Sequence, residues 1–330
     1  MLKTIFMKIL DLFFRKKGKE YPITGEVRKI LVIRTDERLG EIILTLPLIN
    51  HLRKVYKDAD ITFLMCKKYE SLSKYIDCNN IVHFEKRELF PNIFRLVKFI
   101  IELRKNVYDL IVLGGKVYPP SLTSYLLIWI ARGRYKVAIR QKRFNPFIDV
   151  PVPIDTPSEA FSKYELARKI SGVDLPFDNR LRTEIGMVKQ YDVLIFTDAR
   201  KSDHLLPITF LAELINKLKS ERVSVLIVSG KDSSERIDSL KNYISSEVVF
   251  SYKPPLDELI NLIRMSRVVI SANTGVMHLS VSLGVPTCAV FTNASLDVWG
   301  YRYSPHLMID ARESLPDINE IVNFIRCSIW

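Results

Sequence analysis

A chain of 330 residues with 48% apolar and 26% charged side chains has the composition of a soluble globular protein large enough for two domains. No apolar run approaches the roughly 20 residues of a membrane-spanning helix. The four cysteines (Cys66, Cys78, Cys288, Cys327) have neither CxxC nor zinc-like spacing, and read as reduced, mostly buried thiols of a cytosolic protein. The formal charge of +12 calls for an anionic partner: nucleic acid, a membrane surface or an anionic substrate.

In the opening stretch, MLKTIFMKILDLFFRKKGKE, Leu2, Ile5, Phe6, Ile9, Leu10, Phe13 and Phe14 recur at helical spacing. Lys3, Lys8, Arg15, Lys16, Lys17 and Lys19 supply a basic side. Lys8 and Asp11 interrupt the apolar stretch and no small-residue cleavage site follows, which argues against a signal peptide. The pattern fits an amphipathic helix lying on an anionic bilayer, and equally a helix docked on the protein's own surface.

Beyond this extension, residues 1–27, buried strands alternate with helices. The first strand, KILVIRT, leads to a helix over 39–56; ITFLMC, a short helix near Glu70 and NIVHFE follow. A helix from Phe94 to Arg104, the strand YDLIVLG, a helix from Ser121 to Ala131 and the strand YKVAIR complete the first set. Residues from about 149 to 182 are richer in Pro, Asp and Ser, with a helix over 158–171. The alternation restarts at YDVLIFTD and continues through a helix over 208–219, RVSVLIVSG, a helix near Ile237, EVVF and a helix over 256–265. A last helix spans 318–326. This grammar predicts an α/β protein of two Rossmann-like domains, 28–185 and 186–330, facing each other across a cleft.

In such sheets ligands bind at the carboxyl ends of the strands. Polar segments fall at those ends in both halves: Arg34-Thr35-Asp36-Glu37-Arg38-Leu39-Gly40-Glu41, Gly114-Gly115-Lys116 and Arg140-Gln141-Lys142-Arg143 in the first. Thr197-Asp198-Ala199-Arg200-Lys201-Ser202, Ser229-Gly230-Lys231-Asp232 and Asn273-Thr274-Gly275 do the same in the second. Within SRVVISANTGVMHLSVSLGVPTCAVF, a β-branched strand, a polar turn, a helix ending at Gly284-Val285-Pro286 and a second strand follow one another. The turn sits where free helix N–H groups would receive an anion, most often a phosphate. His278 lies one turn on from Thr274, on the same face. Asp58-Ala59-Asp60 has the form of a DxD metal motif but precedes its strand, on the wrong edge of the sheet, so no metal site is assigned.

Two segments, VIRTDERLGEIILTLPLINHLRKVYKDADITFLM and VVISANTGVMHLSVSLGVPTCAVF, resemble the signatures of the lipopolysaccharide heptosyltransferase family. The resemblance covers the chain from about residue 28 onward. It implies the GT-B fold, no metal and no cofactor, and an inverting transfer of heptose from ADP-heptose to the inner core of lipopolysaccharide. The setting it implies is the cytoplasmic face of the inner membrane, with the enzyme peripheral to it. It further implies that the first domain binds an anionic glycolipid acceptor and the second the nucleotide sugar.

On that resemblance Glu41 takes the place of the family's catalytic Asp, as general base, although an acid in the first turn of a helix is also favoured by the helix dipole alone. Asn273, where the family has Asp, would contact the donor with Thr274, Gly275 and His278, and Arg200, Lys201 and Ser202 would meet its phosphates or lie in a solvated loop. Arg38, Arg140, Lys142 and Arg143 suit a phosphorylated acceptor, or form a solvated basic loop. A UDP-hexose or UDP-N-acetylhexosamine donor is the competing reading on the same fold. A non-catalytic basic protein that binds nucleic acid or membrane is the competitor from another class; no nucleic-acid-binding motif is visible, and nucleic acid is not an expected partner.

Overall fold

Runs such as KILVI, DITFLMC and VYDLIVL carry apolar side chains on both faces, which a strand can bury only inside a parallel sheet covered by helices. The computed structural model describes every residue except 1–10, 15–17, 19, 90, 116–120, 142–144, 185, 231–233, 246 and 330. The chain divides into two units, Met1–Asn179 and Arg180–Trp330.

In the first unit, β1 (Lys29–Ile33), β2 (Asp60–Cys66), β3 (Asn80–Phe84), β4 (Val107–Leu113), β5 (Arg132–Ile139) and β6 (Val150–Val152) form one sheet in the order β3-β2-β1-β4-β5-β6. Every neighbouring pair is parallel. Helices α1 (Leu39–Ile43), α2 (Leu46–Val55), α3 (Lys86–Leu89), α4 (Ile93–Lys105), α5 (Leu122–Ile130) and α6 (Glu159–Ser171) accompany it, and a 3-10 helix covers Lys67–Tyr75. The single helix expected over 39–56 is interrupted at Leu44 and Thr45. Pro47, near the start of α2, has no N–H to continue the preceding turn and is well placed to begin a new helix. Helix α6 packs beside α2, with His51 Nε2 3.1 Å from Ser171 Oγ and Lys54 Nζ 2.6 Å from Asp178.

Residues 11–14 are helical, and two of them hold onto the first unit. The buried Asp11 carboxylate accepts from Asn145 N–H at 2.7 Å, and the Phe14 carbonyl accepts from Phe147 N–H at 3.2 Å. Leu12 and Phe13 point outward.

The second unit repeats the plan. Its strands β7 (Tyr191–Phe196), β8 (Val225–Ser229), β9 (Val249–Tyr252), β10 (Ser266–Ala272), β11 (Thr287–Phe291) and β12 (Leu307–Asp310) lie in the order β12-β11-β10-β7-β8-β9, again all parallel. Numbered from β7, this is the strand order of the first sheet, the doubly wound Rossmann order. Its helices are α7 (Ile208–Ser220), α8 (Ser234–Lys241), α9 (Leu256–Arg264), α10 (Gly275–Ser282), α11 (Leu296–Trp299) and α12 (Ile318–Ile329). Gly284 closes α10 at φ +73°, a conformation glycine adopts without steric cost. Each unit has its own apolar core, built around Leu31, Ile111 and Ile128 in the first and Ile195, Leu214 and Ile270 in the second.

Of the four thiols, Cys66 and Cys288 are buried, but Cys78 is only partly covered and Cys327 is exposed. Among the described residues no helix is long and apolar enough to cross a membrane.

Candidate active site

In a doubly wound sheet the crevice for a ligand opens where successive connections leave in opposite directions. In the first unit that point lies between β1 and β4, and Arg34 occupies it. Its side chain is fully buried, so its N–H groups need partners from the protein. Nη1 donates to the carbonyl of Gly114 at the end of β4, Nη2 donates to the Glu41 carboxylate, and Nε lies 2.8 Å from Asp36 Oδ2 as an ion pair. The loop after β1 is thereby folded back over its own strand and tied to the neighbouring one. Gly114 also lets Thr45 approach: a Cβ there would stand 2.7 Å from Thr45 Cγ2. Thr45 in turn donates through its hydroxyl to the Glu41 carbonyl at 3.0 Å.

Glu41 sits in the first turn of α1 and is buried, with Oε1 3.9 Å from Nη1 of the exposed Arg38. Two of the residues expected in one half of the site are therefore adjacent. Arg140 is exposed at the carboxyl end of β5, with β4 between its strand and β1, and its N–H donates to Val152 at 2.7 Å. Lys142 and Arg143 lie outside the described residues.

A second cation was not anticipated. Lys163 of α6 is fully buried and donates to Glu159 Oε2 at 2.9 Å and Ser162 Oγ at 3.0 Å. Burial pushes its pKa down; the Glu159 charge opposes this, Arg34 adds to it, and Glu41 opposes it again. Lys163 therefore shares an electrostatic neighbourhood with Arg34 and Glu41. Its signal in the sequence was an acid–base pair at i, i+4 on the same helix face as Ala167 and Ile170.

In the second unit the switch point lies between β7 and β10. The carboxyl ends of these two strands carry the two expected donor segments, Arg200-Lys201-Ser202 and Asn273-Thr274-Gly275. Thr274 caps α10, its Oγ1 accepting from Val276 N–H at 3.2 Å. Arg200 and Lys201 are exposed on the loop before a 3-10 turn (Ser202–His204), and the exposed Ser202 begins that turn. That turn is fastened to the end of β11: Thr292 Oγ1 donates to the Asp203 carbonyl at 2.9 Å, and Asn293 Nδ2 donates to the Asp203 carboxylate. The loops after β7 and β8 are also joined, because Gly230 N–H donates to the Asp198 carboxylate. Arg236 of α8, missed in the sequence, braces this edge by donating to the carbonyls of Thr197, at 3.2 Å, and Leu206.

His278 is buried behind this edge rather than displayed on it. Nδ1 lies 2.8 Å from the Tyr301 hydroxyl, and the ring meets Trp299 and Tyr301 edge-on. Burial pushes its pKa down to about 3, so the ring is neutral at physiological pH. His306, also in this unit, is pushed down to about 4 by burial, with Arg180 adding to the effect. Among the described residues no three His, Cys, Asp or Glu side chains gather to hold a metal ion.

Two Rossmann-like sheets in one chain define an α/β fold of the GT-B type, the fold also found in solved heptosyltransferases. The sequence profile of glycosyltransferase family 9 (heptosyltransferase) matches residues 97–314, and the chain belongs to that family. It is a glycosyltransferase, which removes the non-catalytic reading. The loop carrying Glu41 precedes the matched range. Lipopolysaccharide heptosyltransferase 1 of Campylobacter coli is 22% identical over 291 residues, 80% of this chain and 83% of that protein. Among solved structures, E. coli heptosyltransferase WaaC with ADP aligns over 91% of this chain and 99% of its own, at TM-score 0.75 and 18% identity. A family 9 glycosyltransferase from Veillonella parvula aligns over 92% of each chain, at TM-score 0.78 and 16% identity.

The buried pair gives a direct test of the first unit's interior. Lys163→Met should lower the unfolding free energy by about 3–5 kcal/mol, because Glu159 is left buried without its cation. Adding Glu159→Leu should recover much of that loss, read from denaturant midpoints of the two variants.

Proposed function

We propose that the protein transfers heptose, with inversion, from ADP-heptose to an anionic lipopolysaccharide inner-core acceptor. The observation that carries this reading is the placement of the Glu41 loop and the Asn273-Thr274-Gly275 turn at the switch points of their respective sheets. Glu41 takes the proton of the acceptor hydroxyl as that oxygen bonds to the anomeric carbon. The bond from that carbon to the diphosphate breaks, and ADP departs with the electron pair. Free N–H groups at the start of α10, with Arg200 and Lys201, offset the charge that develops on the diphosphate. The first unit thus supplies base and acceptor site, with Arg38, Arg140, Lys142 and Arg143 toward acceptor phosphates. The second supplies the donor site.

ADP is favoured as the leaving nucleotide because a structurally similar enzyme, E. coli WaaC, has been solved with ADP and with ADP-2-deoxy-2-fluoro heptose. Gly275→Val should place a branched side chain against the diphosphate and weaken ADP binding at least about tenfold, one decade being about 1.4 kcal/mol. Equal ADP affinity by calorimetry would move the donor site elsewhere. Stronger binding of UDP than ADP would keep the site and replace the donor with a UDP-sugar.

Glu41 has a second reading, favoured by its burial against Arg34: a counter-ion with no part in the chemistry. Glu41→Gln separates the two. As the base, its loss should slow turnover by about 10²–10⁴-fold, measured well below the variant's melting transition and with ADP affinity unchanged. As a counter-ion alone, Glu41→Gln would lower the melting temperature while the folded fraction turned over at the parent rate. Glu41→Asp should retain measurable activity, since it restores the carboxylate.

Residues 1–10, with the basic residues that follow, are proposed to hold the enzyme peripherally on the inner face of the inner membrane. The first 20 residues carry six basic and two acidic side chains, and each basic residue near an anionic surface contributes about 1 kcal/mol. Deleting residues 1–10 leaves the docked Asp11 and Phe14 in place. It should reduce co-sedimentation with anionic vesicles severalfold; unchanged co-sedimentation rejects the tether.

A further inference from the structure

Helix α4 has two apolar faces, and its own unit covers only one. Leu103 is buried and Phe99 packs inward, its ring 5.7 Å from that of Phe84. On the other side Ile93, Phe94, Val97 and Ile101 form a continuous outward stripe, with Phe94 84% and Ile93 62% exposed. At 100° per residue these four span about a quarter of the helix circumference, clear of the inward face. Lys98 and Lys105 border the stripe, and Arg95 follows on the same flank. The helix carries four basic residues, Arg95, Lys98, Arg104 and Lys105, against one acid, Glu102, which is itself 2.8 Å from Lys105.

The exposed apolar surface does not stop at the helix. Arg104 Nη1 donates to the Ile130 carbonyl at 3.3 Å, which sets the end of α4 beside the end of α5. There Trp129 is 51% exposed and its ring lies 6.4 Å from that of Phe14. Leu12 and Phe13 beside it are 81% and 73% exposed. Three segments remote in sequence therefore present bulky apolar side chains with basic neighbours on the first unit. At its other end, α4 begins beyond the carboxyl end of β3, on the sheet edge that also carries the Arg34–Glu41 loop.

We propose that α4 lies in the surface of an anionic lipid bilayer, its Ile93-Phe94-Val97-Ile101 stripe sunk among the acyl chains and its lysines at the headgroups. An exposed apolar stripe flanked by lysines is the pattern of an in-plane amphipathic helix. A symmetric contact between two copies of this face would bring like-charged flanks together, whereas an anionic surface complements them. The inference deepens the membrane tether proposed for the N-terminal residues by assigning a second, folded contact. It does not depend on which sugar is transferred.

The test uses the full chain, with residues 1–20 intact, so that failure of the α4 contact is distinct from failure of the N-terminal tether. Binding is measured by co-sedimentation with vesicles of phosphatidylglycerol and phosphatidylcholine, alongside phosphatidylcholine alone. Phe94→Asp/Ile101→Asp should reduce the partition coefficient on anionic vesicles at least tenfold, with an unchanged melting profile. Lys98→Glu/Lys105→Glu, which leaves the apolar stripe in place, should do the same, and serves if the first variant does not fold. A fall of less than tenfold in the folded variants overturns the proposal. So does a parent protein that sediments as a dimer which the variants dissociate while vesicle binding is retained, because the stripe would then belong to a second copy.

Discussion

A buried guanidinium is the constraint around which the first unit's functional edge is built. Arg34 has no water to solvate it, so its planar fork must find its partners in protein: a carbonyl from β4 and carboxylates from its own loop. This fixes where Asp36 and Glu41 stand and joins the loop after β1 to the neighbouring strand. A lysine could not serve the same set, since its single ammonium cannot reach three directions in one plane. The position of Glu41 is thus set by electrostatics in the interior rather than by the short helix that carries it.

The second unit fastens its corresponding edge with groups that are less deeply buried than Arg34. Its loops after β7, β8 and β11 are laced together through Asp198, Asp203, Asn293 and Arg236, while the turn after β10 is capped by Thr274. The exposed Arg200, Lys201 and Ser202 stand on this fastened frame. Anchoring residues, Asp198 and Asp203, therefore bracket the solvent-facing ones along one short segment. That arrangement suits a site which must hold its shape when no ligand is bound.

Most of the sheet was legible in the sequence because a buried parallel strand leaves an uninterrupted apolar run, as in KILVI or YDVLIF. Two short edge strands were not. Val150–Val152 holds three residues with Pro151 at its centre, and Leu307–Asp310 holds four, too few for periodicity to register. The break at Leu44 and Thr45 was hidden because the apolar spacing continues across it, although Pro47 was the available clue. At the site, the carboxyl ends of β1, β7 and β10 could be marked from the polar segments that follow those strands. The contribution of Lys163 could not, since it depends on α6 packing beside α2, a contact between segments far apart in the chain. The pairing of His278 with Tyr301 was equally invisible, because nothing in the spacing announces that an aromatic loop folds back onto α10.

The burial of His278 and of His306 has a consequence for acid tolerance. An unfolded chain takes up a proton on each imidazole near pH 6.5, whereas the folded protein accepts one on His278 only near pH 3 and on His306 only near pH 4. Between those limits the unfolded state holds more protons than the folded one, so the balance shifts toward unfolding as pH falls. The contribution of the two rings is complete above about pH 6.5 and is lost progressively through the acidic range below it. Acidification thus acts on the second unit from within: two rings that must stay neutral to stay packed become places where the unfolded chain gains protons first.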